Sequence, residues 1–355
     1  MSDGARSSCQ ASMKAVVTDR PGDYDVMRVA DVPVPVLGAR EVLVRNFASG
    51  VCYHDHLIRA GVMKRGITFP LILGHEGAGI VEAVGSGVRS LAPGARVACT
   101  QWTENCGFCR YCRTNREPLC AERKLFGHDR DGTYAELFKI QEDSLLPLPP
   151  EVSFEDGAIL SCAIGTVLAA LRDVGRTQAG EHVLVTGAGG GLGVHAVQVA
   201  KLCGATVIAQ TTSPEKVKLI REAGADEVVV ARDGTFADEV RRRARGDGVD
   251  VVCDNVGAPV FHEALRATAR GARYVLVGEL TGDAVTFNTA RLFLKGVSLL
   301  STTSTSRTQL ADVIDLVRAR RLRPIVTARF RLDEAARVHR LLVDRQLSGR
   351  VLLLP

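Results

Sequence analysis

The loop Gly187-Ala-Gly-Gly-Gly-Leu-Gly193 constrains this chain more than any other stretch of it. An apolar run at 182–186 precedes it, and a helix-forming run at 192–203 follows. The exchange then repeats. Residues 206–209, 227–230, 250–253 and 274–277 read as strands, and 214–223, 237–245 and 260–269 read as the helices between them. Parallel strands need a crossover connection, which a helix supplies. The alternation therefore predicts an α/β fold with a doubly wound parallel sheet.

At such a strand–turn–helix junction, glycines let the backbone approach a pyrophosphate, and the helix N-terminus turns N–H donors toward the anion. Gly187, Gly189, Gly190, Gly191, Leu192 and Gly193 are thus the expected dinucleotide loop. Sites for NAD(H) keep an Asp or Glu near the end of the second strand, to hold the ribose 2′-hydroxyl. Here that strand should end near Thr211, in the run Gln210-Thr-Thr-Ser-Pro-Glu-Lys216. Thr211, Thr212 and Ser213 put hydroxyls where the acid would stand, and Lys216 follows closely. Both changes favour a 2′-phosphate, hence NADP(H) over NAD(H). If Lys216 is only a solvated first-turn residue, the hydroxyls serve either cofactor.

Before this region, residues 14–160 are rich in Gly, Pro and short β-branched runs, at 15–17, 41–45, 78–82 and 96–99. Turn pairs such as Pro21-Gly22 and Pro93-Gly94 punctuate them, as in an antiparallel, β-dominated domain. Within it, Cys106, Cys109, Cys112 and Cys120 bring four of the chain's ten cysteines close together, with Gly107 and Pro118 supplying bends. Four thiols so spaced suit a tetrahedral structural zinc; unrelated thiols or two disulfides are the plainer alternatives. A second set is dispersed: Cys52, then His75 beside Glu76, then Cys162 at the seam between the two regions. Two thiols and an imidazole leave a fourth tetrahedral position for water or substrate. Singly, each of these residues reads as an ordinary buried Cys or His.

Taken together, Gly50-Val-Cys52, Gly74-His-Glu-Gly77, the four clustered cysteines, Cys162 and the glycine loop make the chain resemble the zinc-containing medium-chain dehydrogenase/reductase superfamily, of the alcohol dehydrogenase type, from about Lys14 to Pro355. The resemblance implies a GroES-like β-rich catalytic domain at 1–162, a Rossmann domain at 163–299 and a return to the catalytic domain at 300–355. It implies two zinc ions per chain. Cys52, His75 and Cys162 look like the catalytic ligands, and Glu76 like an acid that can join them. Asp55 looks like the carboxylate that orients His75, and Trp102 like a wall of the substrate pocket. Val256 and Val277 fall at cofactor-binding positions. Two residues after Cys52, where alcohol dehydrogenases usually carry Ser or Thr to pass a proton outward, this chain has His54. An imidazole can do that work, bind an anionic group, or mark a branch that reduces activated C=C bonds. Cys-Tyr-His-Asp55 and the later Thr302-Thr-Ser-Thr-Ser-Arg307 look like members of that branch, acryloyl-CoA reductase among them. The expected function is NAD(P)H-linked hydride transfer between nicotinamide and an alcohol or carbonyl, with reduction of an enone or enoyl thioester as the alternative. A sensing or structural protein is disfavoured by the intact ligand set.

Composition narrows the partners. A net charge of +5 is spread along the chain, and its densest basic run, Arg241-Arg-Arg-Ala-Arg245, sits beside Asp238 and Glu239. It reads as a solvated helix face, so no nucleic acid is expected. No run of about 18 apolar residues stands out, so no membrane span is expected. Residues 1–12 lack an apolar core and read as a tail, not a signal peptide. Six cysteines assigned to metal fit a reducing compartment, and a cytoplasmic enzyme is expected. The partners are then a small-molecule substrate and further copies of the chain. The family forms dimers and tetramers, often through Rossmann edge strands; residues 297–300 would be that edge.

Overall fold

In the computed structural model, which describes residues 11–355, the first region is built from ten short strands. These are β1 (Ser12–Thr18), β2 (Met27–Pro33), β3 (Glu41–Gly50), β4 (Leu71–Ile72), β5 (Gly77–Val84), β6 (Arg96–Cys99), β7 (Trp102–Glu104), β8 (Lys124–Leu125), β9 (Leu137–Gln141) and β10 (Leu145–Pro147). Ser12 already belongs to a strand, so the expected tail stops short of it; its residues 1–10 lie outside the described residues. β3 pairs antiparallel with both β5 and β9 and anchors the larger sheet. Gly79, on β5, lies so close to the backbone of Arg45 that any Cβ would collide with it, which fixes glycine there.

A helix, Phe154–Val174, then joins the two halves of the molecule. Ser153 caps it, its hydroxyl accepting from Asp156 N at 3.0 Å, and Glu155 and Asp156 suit the positive end of the helix dipole. Its wider i→i+5 turns fall at Leu160–Gly165 and Ala169–Val174. By length and hydropathy alone it could cross a bilayer, which corrects the expectation that no such run exists. Here it is a core helix. Leu160, Ile164, Val167 and Leu171 pack in one cluster with Ala48 and Ala78 of the first region and Val183 and Val251 of the second. Gly157 fits tightly against Leu148 and Ala78. The helix runs unbroken across the division expected at 162/163.

The second region is a six-stranded parallel sheet of β11 (His182–Val185), β12 (Thr206–Thr211), β13 (Glu227–Val230), β14 (Val249–Asp254), β15 (Thr268–Leu276) and β16 (Ser298–Ser301). Their order is β13-β12-β11-β14-β15-β16, so the strand order reverses at β11, the crevice where such sheets bind ligands. Helices Gly193–Leu202, Val217–Glu222, Ala237–Arg243 and Phe261–Arg266 fall where the sequence placed them. On Ala237–Arg243, Arg243 pairs with Glu239 and Glu227 and Arg242 with Glu239, as a solvated face would. Finally β17 (Val326–Arg331) and β18 (Arg350–Leu354) go back to the first region: β18 pairs Leu352 with Gly50 and Leu353 with Ser49. The order of that sheet is β10-β6-β5-β3-β18-β17. The molecule is thus a β-rich domain joined to a doubly wound, parallel α/β domain, with the last strands returning to the first.

Candidate metal and cofactor site

β3 ends two residues before Cys52, which starts the helix Tyr53–Arg59. Asp55, in the first turn of that helix, accepts from Cys52 N at 3.0 Å and so ties the turn to the thiol. His75 and Glu76 lie between β4 and β5, and Cys162 lies in the wide turn of the joining helix, where i→i+5 geometry often marks functional sites. The donor atoms of Cys52, His75, Glu76 and Cys162 all lie within 4.8 Å of one another, and all four residues are buried. The two sulfurs stand 3.9 Å apart. Zn–S bonds in a tetrahedron would place them about 3.8 Å apart, so the donor set fits zinc without rearrangement.

Charge in this cluster follows from its contacts. Burial opposes a charged His75, but the Asp55 carboxylate, 3.0 Å from its Nδ1, outweighs that and lifts it to about 10. Burial likewise opposes ionisation of Asp55, and the charge and hydrogen bond of His75 overcome it, holding the carboxyl below its usual range. The Cys162 thiol and the charge of Arg350 draw Cys52 well down, toward the thiolate a metal needs. His54 is driven down to about 4, first by burial and then by His75. Its ring meets the rings of His75 and His128 edge-on, at 5.2 and 5.8 Å between centroids. It makes no hydrogen bond among the described residues, so it stands as a neutral imidazole beside the metal donors.

Arg350 was not legible in the sequence. Its guanidinium pairs with the buried Glu76, with Nε 3.0 Å from Oε2. The same side chain lies against Gly191, where a Cβ would come within 2.8 Å of Nη1. Arg350 therefore bridges the metal cluster and the glycine loop. Gly349 N donates to Gly189 O at 3.0 Å, so the turn before β18 lies on the loop. No spacing rule connects residues this far apart in the chain; only the return of β18 does.

The loop has the expected form: Gly187 has φ +57°, and Gly193 packs on Ala188 at the start of its helix. Val256 touches Gly187, and its N–H joins that of Gly257 on Asp254 Oδ1; Val277 N donates to Asp254 O at 2.9 Å. β12 ends at Thr211, whose Oγ1 accepts from Ser213 N at 3.1 Å. Thr212 and Ser213 are half-buried beside it, and no acid stands there. Lys216 lies beside the loop and is already engaged. Its stem lies on Gly189, but its ammonium donates to Leu347 O at 2.6 Å.

The four clustered sulfurs also fit one zinc. Cys106 and Cys112 stand 3.9 Å apart, Cys109 and Cys112 3.6 Å, and Cys120 and Cys106 3.6 Å; none forms a disulfide. Gly107, at φ +77°, makes the bend. Trp102 corrects another expectation. It is fully buried, and its Nε1 donates to Thr305 O at 3.2 Å, so it presents no face to an open pocket. Thr305 in turn donates to Ser161 O at 2.6 Å, next to Cys162, and Gln101 accepts from Ser304 and from Thr305 N. The Thr302–Arg307 stretch thus clamps the metal turn.

Residues 191–319 match the family of zinc-binding dehydrogenases, and residues 38–150 match the alcohol dehydrogenase GroES-like domain. The chain is similar to the acryloyl-coenzyme A reductase of Sulfurisphaera tokodaii, 33% identical over 344 residues that cover 97% of this chain and 100% of that protein. It is equally similar to an alcohol dehydrogenase of Geobacillus stearothermophilus, 33% identical over 341 residues, 96% of this chain and 99% of that one. The crystal structure of AibC superposes with a TM-score of 0.90 at 38% identity, covering 100% of this chain and 99% of the other.

Proposed function

Because the chain belongs to the zinc-binding medium-chain dehydrogenase/reductase superfamily, in its alcohol dehydrogenase type, and is a zinc-dependent oxidoreductase, we propose that it reduces the conjugated C=C bond of an α,β-unsaturated thioester. His54 carries this reading. Alcohol oxidation has to pass the hydroxyl proton outward, and the side chain two residues after Cys52 ordinarily does so with a hydroxyl. His54 is an imidazole without a partner to relay to among the described residues, held neutral by burial. It is suited to donate a hydrogen bond to a carbonyl oxygen as negative charge builds there. Similarity to acryloyl-CoA reductases supports the same direction.

Zinc held by Cys52, His75 and Cys162 would supply Lewis acidity toward a carbonyl oxygen, and a reduced nicotinamide the hydride, which ends on the β carbon while a proton ends on the α carbon. The chain's own residues do the rest. Asp55 orients His75 and fixes its tautomer. Arg350 neutralises Glu76 and offers a cation to the dinucleotide. The joining helix and the Thr302–Arg307 clamp hold Cys162 in a dry setting. Thr211, Thr212 and Ser213 favour NADP(H); Lys216 adds to this only by leaving Leu347. A second reading, carbonyl reduction and alcohol oxidation, is favoured by the equal similarity to alcohol dehydrogenases.

A substrate panel tests the proposal. Enoyl thioesters and matched aldehydes are offered with NADPH and with NADH, and the reduced bond is identified. Turnover of the thioester with NADPH is expected. Turnover of aldehydes alone would leave the second reading in its place, and a preference for NADH would reverse the cofactor assignment. We further propose that copies of the chain associate along the outer strand β16, beside which Leu299, Phe293 and Leu294 are exposed. Light scattering should give a dimer or tetramer, and Leu299→Lys should reduce it; a monomeric wild type would end that proposal.

A further inference from the structure

Asp55 is fully buried, yet it is an anion that accepts more than the His75 hydrogen bond. Tyr134, between the four-cysteine lobe and β9, donates its hydroxyl to Asp55 Oδ2 at 2.9 Å. That hydrogen is the only one the phenol has. The contact between Tyr134 Oη and His339 Nε2, at 3.4 Å, must therefore run from an Nε2–H of the imidazole to the phenol oxygen. His339 lies on the helix Ala335–Val343 of the returning segment and is fully buried; burial drives it down to about 4, and its Nδ1 has no partner. A neutral ring with a bare Nδ1 is the tautomer that carries its hydrogen on Nε2, which agrees with the direction of the chain. His339 and Tyr134 thus form a row of donors that points toward the Asp55 carboxylate, which holds His75 from behind.

We propose that Tyr134 and His339 are positioning residues for the catalytic metal, an outer row of hydrogen bonds that fixes the orientation of Asp55 and through it the grip of His75. The inference rests on the metal site of the preceding section. Without the Tyr134 hydroxyl, Asp55 Oδ2 keeps only the Cys52 N–H, at a place where water does not reach. The carboxylate is then free to turn, and His75 binds metal less well.

The test is zinc competition with a chromogenic chelator, on wild type, Tyr134→Phe, His339→Phe and His339→Gln. Wild type should hold two ions per chain. Tyr134→Phe should weaken one of them about tenfold and leave the other unchanged, since no residue of this row bonds to a cysteine of the lobe. His339→Phe should follow in the same direction, and His339→Gln, which keeps an N–H donor, should restore most of the loss. In the cobalt-substituted protein, the visible bands of the weakened site should shift. Equal affinities in all four proteins, with only the melting temperature changed, would overturn the inference, as would loss of both ions together. If wild type binds only the lobe ion, the metal reading of the preceding section fails, and this one with it. Should Tyr134→Phe not fold, the contrast between His339→Phe and His339→Gln decides alone.

Discussion

Cys52 and Cys109 are chemically the same residue put to opposite uses. Cys52 is one of a buried set in which two sulfurs, an imidazole and a carboxylate meet. Cys109 belongs to a closed set of four sulfurs in a short lobe, where metal binding is folding energy. Cys52→Ala should therefore abolish turnover, halve the zinc content and move the melting temperature little. Cys109→Ala should also halve the zinc content, but lower the melting temperature clearly. Metal analysis alongside thermal unfolding checks both, and equal shifts in stability would show that the two sites were misassigned. The lobe was legible from sequence because its ligands are neighbours in the chain, and spacing alone encodes the tetrahedron. What holds Lys216 was hidden for the converse reason. Its position in the sequence is right for a phosphate contact, but the carbonyl that takes its ammonium, Leu347 O, is distant in the chain.

At the level of elements, the helix after the glycine loop depends on one neutral histidine. His195 donates from Nδ1 to Gly191 O at 2.7 Å, and its Nε2 accepts from Ile325 N at 2.9 Å. Burial drives it down to about 4, against the smaller upward pull of the Gly191 bond. A histidine depressed on folding binds fewer protons in the native state than in the unfolded chain. Its contribution is therefore complete above about 6.5 and is lost as pH falls toward 4. The urea midpoint of wild type should fall between pH 6.5 and 4.5, and His195→Gln, less stable at neutral pH, should fall less over that interval. A steeper fall in the variant would reverse the assignment. The inner strands β11, β12 and β14 were legible because each is a largely apolar run buried on both faces. β4, β7 and β8, of two or three residues each, were not, because so short a run has no period to read. The apolar length of the joining helix was missed, since Asp156, Arg172 and Asp173 break up the run while Ala158 to Leu171 stays buried.

For the molecule as a whole, the pair Arg350–Glu76 is where the two regions and the returning strand meet. Both partners are buried, so removing one leaves an uncompensated charge. Arg350→Ala should lower the unfolding free energy by about 3–5 kcal/mol, and adding Glu76→Gln should recover much of it. Cofactor affinity should stay low in both variants, because neither has the guanidinium beside Gly191. Urea titration and cofactor KM separate the two effects, and a double variant with wild-type cofactor affinity would remove Arg350 from that site. The topology also sets an order in time. A ribosome releases Cys52, His75 and Cys162 long before it releases β18, which completes the sheet beside Cys52 and brings Arg350 to Glu76. The parallel sheet, whose strands all lie between His182 and Ser301, can form in the meantime. During synthesis the residues that would take the metal are thus made before the strand that carries Arg350, and the newborn protein passes through an interval in which Glu76 lacks the cation that β18 later brings to it.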